Sequence, residues 1–291
     1  MSELLDEAVA EIELPGLFST VQDRGRFGSR RYGIPSSGAV DMRSYTLANQ
    51  LLGNIPDAPA IEVIGGNFSI IFKKRTRMAV TGARCRASLN DAEAALDKVL
   101  EADAGSRLLL SIPDYGFVNY VAIEGGFWGE LVLGSRSTYM PAHFGGSWGR
   151  LLRKGDSLPR LDMHRGVADS YARFEFELRD RIFVRQAFHT NEAIMSWLTS
   201  QKFTVEPESD RMGFRLLPEM QLQSSLYREI VTIPVFPGMV QLTRSGELVI
   251  VNKDGQTTGG YPVIAMMDES ELGNLVQLGP GAEVNFTFVQ F

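Results

Sequence analysis

The sequence predicts an all-β fold with a few short helices. Short apolar runs rich in Val, Ile and Phe recur along the chain and are bounded by Gly, Pro, Asn or Asp, the pattern typical of strands. Stretches with the three- to four-residue apolar spacing of a helix are few. The strand-like runs include "AIEVIGG", "FSIIF", "YVAIEGG", "RIFV", "ELVIV" and "VNFTFVQF".

Chain length and composition indicate two medium-sized domains. With 291 residues, 44% of them hydrophobic, the chain can bury a sizeable core. The stretch "MHRGVADSYARF", about 163–174, is polar and does not alternate, so it is the candidate boundary. We predict an N-terminal domain over 1–165 and a C-terminal domain over 166–291.

Three helices are predicted. In "VDMRSYTLANQLLGN" the apolar spacing from Met42 indicates a helix that stops at Gly53. A second helix is predicted in "TNEAIMSWLTS", with Thr190 as its N-cap. A third, one or two turns long, is predicted to open at Asp268, where "DESE" is the Asx version of a capping box.

One segment carries conflicting signals. "NDAEAALDKVLEAD" has the composition of a helix. The flanking "ASLND" and "AGSRLLLS" look like strands on either side of a turn. We therefore predict a hairpin there.

Charge and cysteine content exclude several classes of function. The formal net charge is −6 and the sequence pI is about 5.3, which disfavours nonspecific binding to nucleic acid or anionic membranes. A single cysteine, Cys85, rules out an internal disulfide and a CxxC metal site, and we interpret it as a small buried residue rather than a nucleophile. No apolar run approaches the roughly 18 residues of a membrane span, so a cytoplasmic location is expected.

Two common catalytic motifs are absent from the sequence. It contains no GxxxxGK[ST] loop and no HExxH spacing. The three histidines lie far apart, so no metal site is predicted. Acid–base chemistry would fall to carboxylates, although each is individually more typical of a turn: Asp23, Asp41, Asp210 and Asp254.

The first polar cluster, "STVQDRGRFGSRRYGIPSSGAVD", spans 19–41 and ends where the first helix is predicted to begin. A helix N-terminus with an arginine beside it is a place to hold an anionic group. The alternative is a surface loop whose arginines pair with its own aspartates and in which Ser37 or Asp41 caps the helix. The residues alone leave both interpretations open.

Three further clusters are weaker when taken singly. "LGSRSTY" surrounds Arg136 with hydroxyls, an arrangement that suits a carboxylate or phosphate but also an ordinary turn. "HFGGSWGRLLRKGD", 143–156, is more typical of a structural segment. "SDRMGFRL" places Asp210 beside Arg211, a pair that gains interest where other polar clusters converge on it.

The stretch "DGQTTGGYP", 254–262, carries more polar groups than a plain hairpin turn requires. Gly259 and Gly260 allow a ligand to approach the backbone. Thr257 and Thr258 add hydroxyls and N–H groups, and Gln256 can bind an amide or carboxylate. A backbone site for an oxyanion is therefore a candidate here.

Taken together, seven blocks in fixed order resemble the biotin-dependent carboxyltransferase family, also described as the allophanate hydrolase subunit 2 type. The resemblance extends from about residue 13 to the C-terminus. The blocks are "GLFSTVQDRGRFG", "GIPSSGAVD", "LANQLLGN", "IEVIGG", "LGSRST", "SDRMGFRL" and "DGQTTGGYP".

The resemblance implies a fold of two cyclophilin-like β-barrel domains and a role as one subunit of an enzyme. By resemblance, the chain would act beside the B subunit of 5-oxoprolinase, which binds it directly, while the A subunit then completes the ring opening of 5-oxoproline to glutamate. ATP with magnesium would bind at the interface of the complex. No biotin attachment site of the AMKM or VMKM kind occurs in this chain, so biotin is not expected to be covalently attached to it.

The resemblance also implies that the matching blocks line one shared cleft. The arginines and the amides of the 254–262 stretch would stabilise a developing oxyanion or a transferred phosphoryl group, and Asp23 or Asp254 would orient the lactam N–H or relay a proton. The implied substrate-binding residues are Gln22, Arg26, Ser36, Ser37, Arg136, Ser137, Asp210, Arg211, Gln256, Thr257, Thr258, Gly259 and Tyr261.

Two other functions stay open at this point. The sequence departs from the family pattern at Ser29, at Ser225 and in "VRQAFHTNE", while "QTTGGYP" and "SDRMG" are intact. One alternative is the carboxyltransferase subunit of a urea or amide carboxylase that takes carboxybiotin from another protein. The other is a noncatalytic antagonist of a kinase inhibitor.

Overall fold

The computed structural model describes residues 8–166 and 176–289, and the chain forms two compact units. The first comprises Met1–Arg26 and Ser37–Phe176, and the second comprises Phe27–Ser36 and Glu177–Phe291. A single cut between 165 and 166 was expected, whereas here the short segment Phe27–Ser36 groups with the C-terminal half. Most of the predicted boundary stretch lies outside the described residues.

Twenty strands account for most of the regular structure in the described ranges. In chain order they are β1 Ala8–Leu14, β2 Phe18–Gln22, β3 Ala60–Ile64, β4 Phe68–Phe72, β5 Thr76–Arg84, β6 Ala87–Leu89, β7 Ala92–Glu93, β8 Val99–Ala102, β9 Arg107–Leu110, β10 Tyr115–Ile123, β11 Ser157–Pro159, β12 Arg181–Gln186, β13 Lys202–Val205, β14 Gly213–Pro218, β15 Ile233–Pro234, β16 Met239–Leu242, β17 Leu248–Val251, β18 Thr258–Gly259, β19 Val263–Met266 and β20 Glu283–Phe288.

The first unit consists of two sheets over a common core. One has the order β11-β1-β4-β9-β6-β7 and the other the order β2-β3-β10-β5-β8. Apolar side chains from both sheets, among them Phe68, Phe72 and Val121, bury into a single cluster. Burial of that apolar surface is the main contribution to the stability of this unit.

The second unit is built on a closed barrel of seven strands, in the order β12-β19-β16-β17-β14-β13-β20. Phe203 and Phe286 meet edge to face inside it, with ring centroids 5.3 Å apart. A separate two-stranded ribbon pairs β15 with β18. The predicted all-β fold class is confirmed.

The described residues contain three α-helices, all at the predicted places. Helix α1 spans Met42–Leu52 and ends at Gly53, which adopts a left-handed conformation with φ 70°. Helix α2 spans Glu192–Thr199. The prediction that Thr190 caps α2 is wrong, because the side chain of Asn191 accepts the hydrogen bond from the backbone N–H of Ile194.

Helix α3, Glu269–Leu278, is longer than the one or two turns predicted. Asp268 caps it and accepts from the backbone N–H groups of Ser270 and Glu271. Glu271 pairs with the guanidinium of Arg179 at 2.8 Å and accepts from the backbone N–H of Phe183. The fourth residue of "DESE" therefore ties α3 to the start of the barrel.

Two further expectations concern Cys85 and membrane spans. Cys85 is partly buried against the core of the first unit, and burial raises its thiol pKa to about 11. The thiol is therefore protonated at neutral pH, which disfavours a nucleophilic role. None of the helices in the described ranges has the length and apolar character needed to cross a bilayer.

The two predicted flanking strands are β6 and β9, which pair antiparallel, but the segment between them also contributes β7 and β8. Asn90 and Asp91 join β6 to β7 in a tight hairpin. Both residues have positive φ, 52° and 63°, as a type I′ turn requires. Asn90 accepts from the backbone N–H of Arg107 at 2.9 Å. Asp91 lacks a comparable hydrogen bond to another described residue, so its left-handed backbone is the weaker half of the turn.

We predict that Asp91→Gly stabilises the first unit by up to about 1 kcal/mol, because glycine adopts positive φ without steric cost. Asp91→Ala should destabilise it by a similar amount. Urea unfolding of the three proteins should give the order Gly, Asp, Ala. An alanine variant as stable as the glycine variant would contradict the turn assignment.

Candidate functional site

A buried carboxylate organises the polar loops of the first unit. Asp23 follows β2, and its Oδ1 accepts from the N–H of Gly25 and from the hydroxyls of Ser135 and Ser137 at 2.6–2.7 Å. Its Oδ2 accepts from the backbone N–H of Arg136. Four donors thus engage the carboxylate, so Asp23 holds the "LGSRST" loop in place.

The side chain of Arg136 points elsewhere. Its Nη1 donates to the backbone carbonyl of Gly129. Burial lowers the pKa of Arg136, partly offset by the negative charge of Asp23. Thr138 donates through its N–H and its hydroxyl to the carbonyl of Val21, at 3.0 and 2.9 Å, which closes the loop against β2.

Arg26 and Gln22 lie against the same loop. Arg26 is fully buried, its Nη2 donates to the carbonyl of Ser137 at 2.6 Å, and its guanidinium lies 4.8 Å from the ring centroid of Phe144. The Nε2 of Gln22 donates to the carbonyl of Thr138 at 3.3 Å. Gln22, Asp23 and Arg26 therefore all contact the 135–138 loop within the first unit.

The N-terminus of α1 is already occupied. Asp41 caps it, accepting from the backbone N–H of Ser44 and from the Ser44 hydroxyl. The Oε2 of buried Glu62 accepts from the N–H of Val40 and from the hydroxyl of Tyr120. Burial raises the pKa of Tyr120 well above its usual value, and Glu62 adds to that shift. Capping by Asp41, one part of the second interpretation, is observed, while binding of an anionic group by this cluster stays a prediction.

Ser36 and Ser37 fall into different units. Ser37 is buried with φ 51°, and its hydroxyl has no hydrogen-bond partner in the described part of the chain. Ser36 is half-buried within the segment that groups with the second unit.

A buried ion pair lies at the start of the "DGQTTGGYP" loop in the second unit. The Nε and Nη2 of Arg211 donate to the two carboxylate oxygens of Asp254 at 2.8 and 3.2 Å, and both side chains are almost fully buried. The N–H of Asp254 donates to the carbonyl of Arg211. Asp210 instead accepts from the N–H groups of Met212 and Gly213. The pair fixes the loop, while Asp210 shapes a turn.

The remainder of that loop presents polar groups outward. Its β18 segment pairs with β15, and the carbonyl of Thr257 accepts from the N–H of Val235 at 3.0 Å. A Cβ on Gly259 would lie 2.6 Å from Nε2 of buried Gln241, so a larger residue there would displace the Gln241 side chain. The side chains of Gln256, Thr258 and Tyr261 are exposed.

Arg30 contacts this loop and was not among the site residues inferred from the sequence. Its Nη2 donates to the carbonyl of Val235 and lies 3.5 Å from that of Gln256. The guanidinium stacks over Phe236 at 5.1 Å from the ring centroid. The arginine-rich segment was a signal in the sequence, but a residue over two hundred positions away could not be identified as its partner.

A groove of about 550 Å³ opens beside the loop on the outer face of β14, β16 and β17. Buried Gln241 and exposed Gln256 both line it. In the register, Gln241 is opposite Val249, which is opposite Arg215, so these three side chains form one row. The ionisable groups of its lining are Glu206, Glu208, Asp210, Glu247 and Arg215.

The 143–156 cluster contains an ion pair near its C-terminal end. Arg150 donates to both carboxylate oxygens of Asp156 at 2.7 and 2.8 Å and lies over the Trp148 ring. The residues predicted to line the cleft fall into two sets, one in each unit. Convergence of both sets on one shared cleft stays a prediction.

Comparison with known proteins identifies the family. Residues 32–288 match the family model described as "Carboxyltransferase domain, subdomain A and B". The chain belongs to the carboxyltransferase domain family. The family resemblance inferred from the seven sequence blocks is thereby confirmed.

Two kinds of curated relative are similar to this carboxyltransferase-family chain. The C subunit of 5-oxoprolinase from Escherichia coli (strain K12) is 35% identical over 274 residues, which cover 93% of this chain and 88% of that protein. The urea amidolyase of Saccharomyces cerevisiae is 32% identical over 301 residues, 95% of this chain but 16% of that much longer protein.

Solved structures of urea amidolyase and urea carboxylase are also similar to this chain. The urea amidolyase of K. lactis superposes with a TM-score of 0.88 at 28% identity, covering 98% of this chain and 19% of that one. The Kluyveromyces lactis urea carboxylase gives a TM-score of 0.87 at 29% identity, covering 98% and 28% of the two chains.

We predict that Asp23→Asn lowers the unfolding free energy by about 2–3 kcal/mol, because the amide nitrogen would face N–H and O–H donors. Guanidinium unfolding measures the change, and Asp114→Asn, at an exposed position, is the matched control. If the two variants were equally stable, the Asp23 carboxylate would not be holding the loop.

For the buried pair, Arg211→Ala or Asp254→Ala alone should cost about 3–5 kcal/mol, because each leaves an uncompensated buried charge. The double variant should cost clearly less than the sum. A double-mutant cycle measured by urea unfolding supplies the coupling energy. Strictly additive effects would show that the pair is not coupled.

Proposed function

We propose that this chain is the C subunit of an ATP-dependent 5-oxoprolinase, an amidohydrolase in which it acts with the B and A subunits to convert 5-oxoproline to glutamate in the cytoplasm. The observation that carries the proposal is the 35% identity to the corresponding E. coli protein over 93% of this chain. The relative in Haemophilus influenzae supports it at 34% identity.

The "DGQTTGGYP" loop suits the chemistry of lactam activation. Opening a lactam requires donors for the oxygen on which negative charge develops, and preorganised N–H and hydroxyl groups supply them. Thr257, Thr258 and Gln256 offer such donors on a loop fixed by the Arg211–Asp254 pair and the β15–β18 ribbon. Their side chains form no hydrogen bond with another described residue, so they are available to a ligand.

The two carboxylates proposed for proton transfer are constrained. The Asp23 carboxylate accepts hydrogen bonds from four donors, and the Asp254 carboxylate accepts from Nε and Nη2 of Arg211. In our proposal each acts by positioning its loop and by orienting the substrate through that loop.

Nucleotide binding is assigned to the complex rather than to this chain alone. In the ranges 8–166 and 176–289, no group of three His, Cys, Asp or Glu side chains is arranged to hold a metal ion. We therefore derive no step through Mg-ATP on these residues. ATP with magnesium at the interface with the B subunit is part of the proposal.

A carboxyltransferase role on a urea or amide substrate is the second candidate. The TM-score of 0.88 to the K. lactis urea amidolyase favours it. Carboxybiotin would then be delivered by another protein. A noncatalytic antagonist of a kinase inhibitor would bind its partner without using the polar loop.

The test is reconstitution with the B and A subunits. We expect glutamate release from 5-oxoproline that requires ATP and this chain. Carboxylation of urea when a biotin carboxylase and its biotinylated carrier are supplied, without glutamate formation, would favour the second candidate. Partner binding with neither activity, when the added proteins are folded, would favour the antagonist.

In the active complex, Gln256→Ala should reduce kcat/KM for 5-oxoproline by about 10- to 100-fold, since it removes a polar group beside the developing charge. Gln223→Ala is the control, because Gln223 is exposed and does not line the groove. Full activity of Gln256→Ala would exclude a role for this side chain in the reaction.

A further inference from the structure

The guanidinium of Arg30 is incompletely satisfied. Its Nη2 donates to the carbonyl of Val235, while its Nε and Nη1 are shielded from solvent and have no hydrogen-bond partner in the described part of the chain. No described carboxylate forms an ion pair with it. Burial lowers its pKa. A covered cation with two unused donors is costly unless an acceptor is supplied.

Arg30 differs in this respect from the other arginines near the polar loops. Arg211 is neutralised by Asp254, and Nη1 of Arg136 donates to the carbonyl of Gly129. Arg31, the next residue, is exposed and lies over Tyr32 rather than against the 254–262 loop. Arg30 thus places a positive charge directly beside Gln256 and Phe236.

The groove next to this arginine has the opposite character. Four carboxylates and one arginine line it, and none of the five forms an ion pair with another described residue. The Oε1 of Gln241 is buried without a partner in the described ranges. Nε2 of Gln241 donates to the carbonyl of Tyr261, so the Oε1 atom of Gln241 can accept a hydrogen bond from a ligand. The carboxylates and the amide oxygen of this groove suit N–H groups and repel anions.

We propose that Arg30 binds the carboxylate of the substrate, with the lactam N–H directed toward the acceptor-lined groove at Gln241. This inference rests on the proposed function and deepens it, because 5-oxoproline carries a carboxylate on the carbon next to its ring nitrogen. The Arg30 cation and the acceptor-lined groove both adjoin Gln256, which matches that polarity. Arg30 is therefore a specificity-determining residue that distinguishes an acidic lactam from a neutral one.

Calorimetry on the assembled complex tests the assignment with two matched ligands, 5-oxoproline and 2-pyrrolidinone, which lacks the carboxylate. Arg30→Gln should weaken 5-oxoproline binding at least about tenfold, the loss expected for hydrogen bonds to a charged group, and leave 2-pyrrolidinone binding unchanged. Arg30→Lys should fall between, since it keeps the charge and loses the planar donor set. Arg31→Gln should bind both ligands as the unmodified chain does.

Equal weakening of both ligands, with the thermal midpoint unchanged, would show that Arg30 only positions the loop and would overturn the proposal. So would unchanged binding of both. Acetate and inorganic phosphate identify the anion, and loss of phosphate binding alone would overturn the carboxylate assignment. If the complex binds no 5-oxoproline but Arg30→Gln abolishes acetate binding, the proposed function fails while the carboxylate site stands.

Discussion

A carboxylate removed from water must be matched by donors, and this constraint shapes the candidate loops of both units. In the first unit Asp23 gathers two backbone N–H groups and two serine hydroxyls. In the second unit, the carboxylate of Asp254 accepts hydrogen bonds from Nε and Nη2 of Arg211. Because an unpaired buried charge is far costlier than an ordinary hydrogen bond, these contacts define the conformation of the loops around them. The residues that looked most catalytic in sequence are thus the ones most fully engaged by the protein itself.

In our proposal, function depends on the groups that the fixed loops expose. The "DGQTTGGYP" loop is anchored at one end by the ion pair and in its middle by the β15–β18 ribbon. Gln256, Thr258 and Tyr261 extend from it toward solvent. Arg30 approaches the loop from a segment that is distant in sequence but belongs to the same unit. In our proposal, this anchored loop and the neighbouring guanidinium of Arg30 hold a small anionic amide.

Local patterns were sufficient for much of the fold. The spacing from Met42 and the glycine at 53 define α1, and strand signals outweighed the helical composition of 90–103, whose flanks pair as β6 and β9. The N-cap of α2 was misplaced by one residue because Thr190 and Asn191 are both good caps, and sequence alone does not show which side chain reaches Ile194. The polar blocks could be identified because they contain more polar side chains than a turn requires. The roles of their residues could not be identified from the sequence. Whether an arginine is neutralised or free depends on partners such as Asp254 and Val235, which lie dozens or hundreds of residues away.

We propose that the buried carboxylates hold the loops while Arg30 binds the ligand. The most direct test is an experimental structure of the assembled complex with 5-oxoproline bound. The account predicts that Asp23 stays bonded to Ser135 and Ser137, and Asp254 to Arg211, while oxygen atoms of the ligand contact the guanidinium of Arg30. A structure in which either carboxylate leaves those partners to contact the ligand would contradict it.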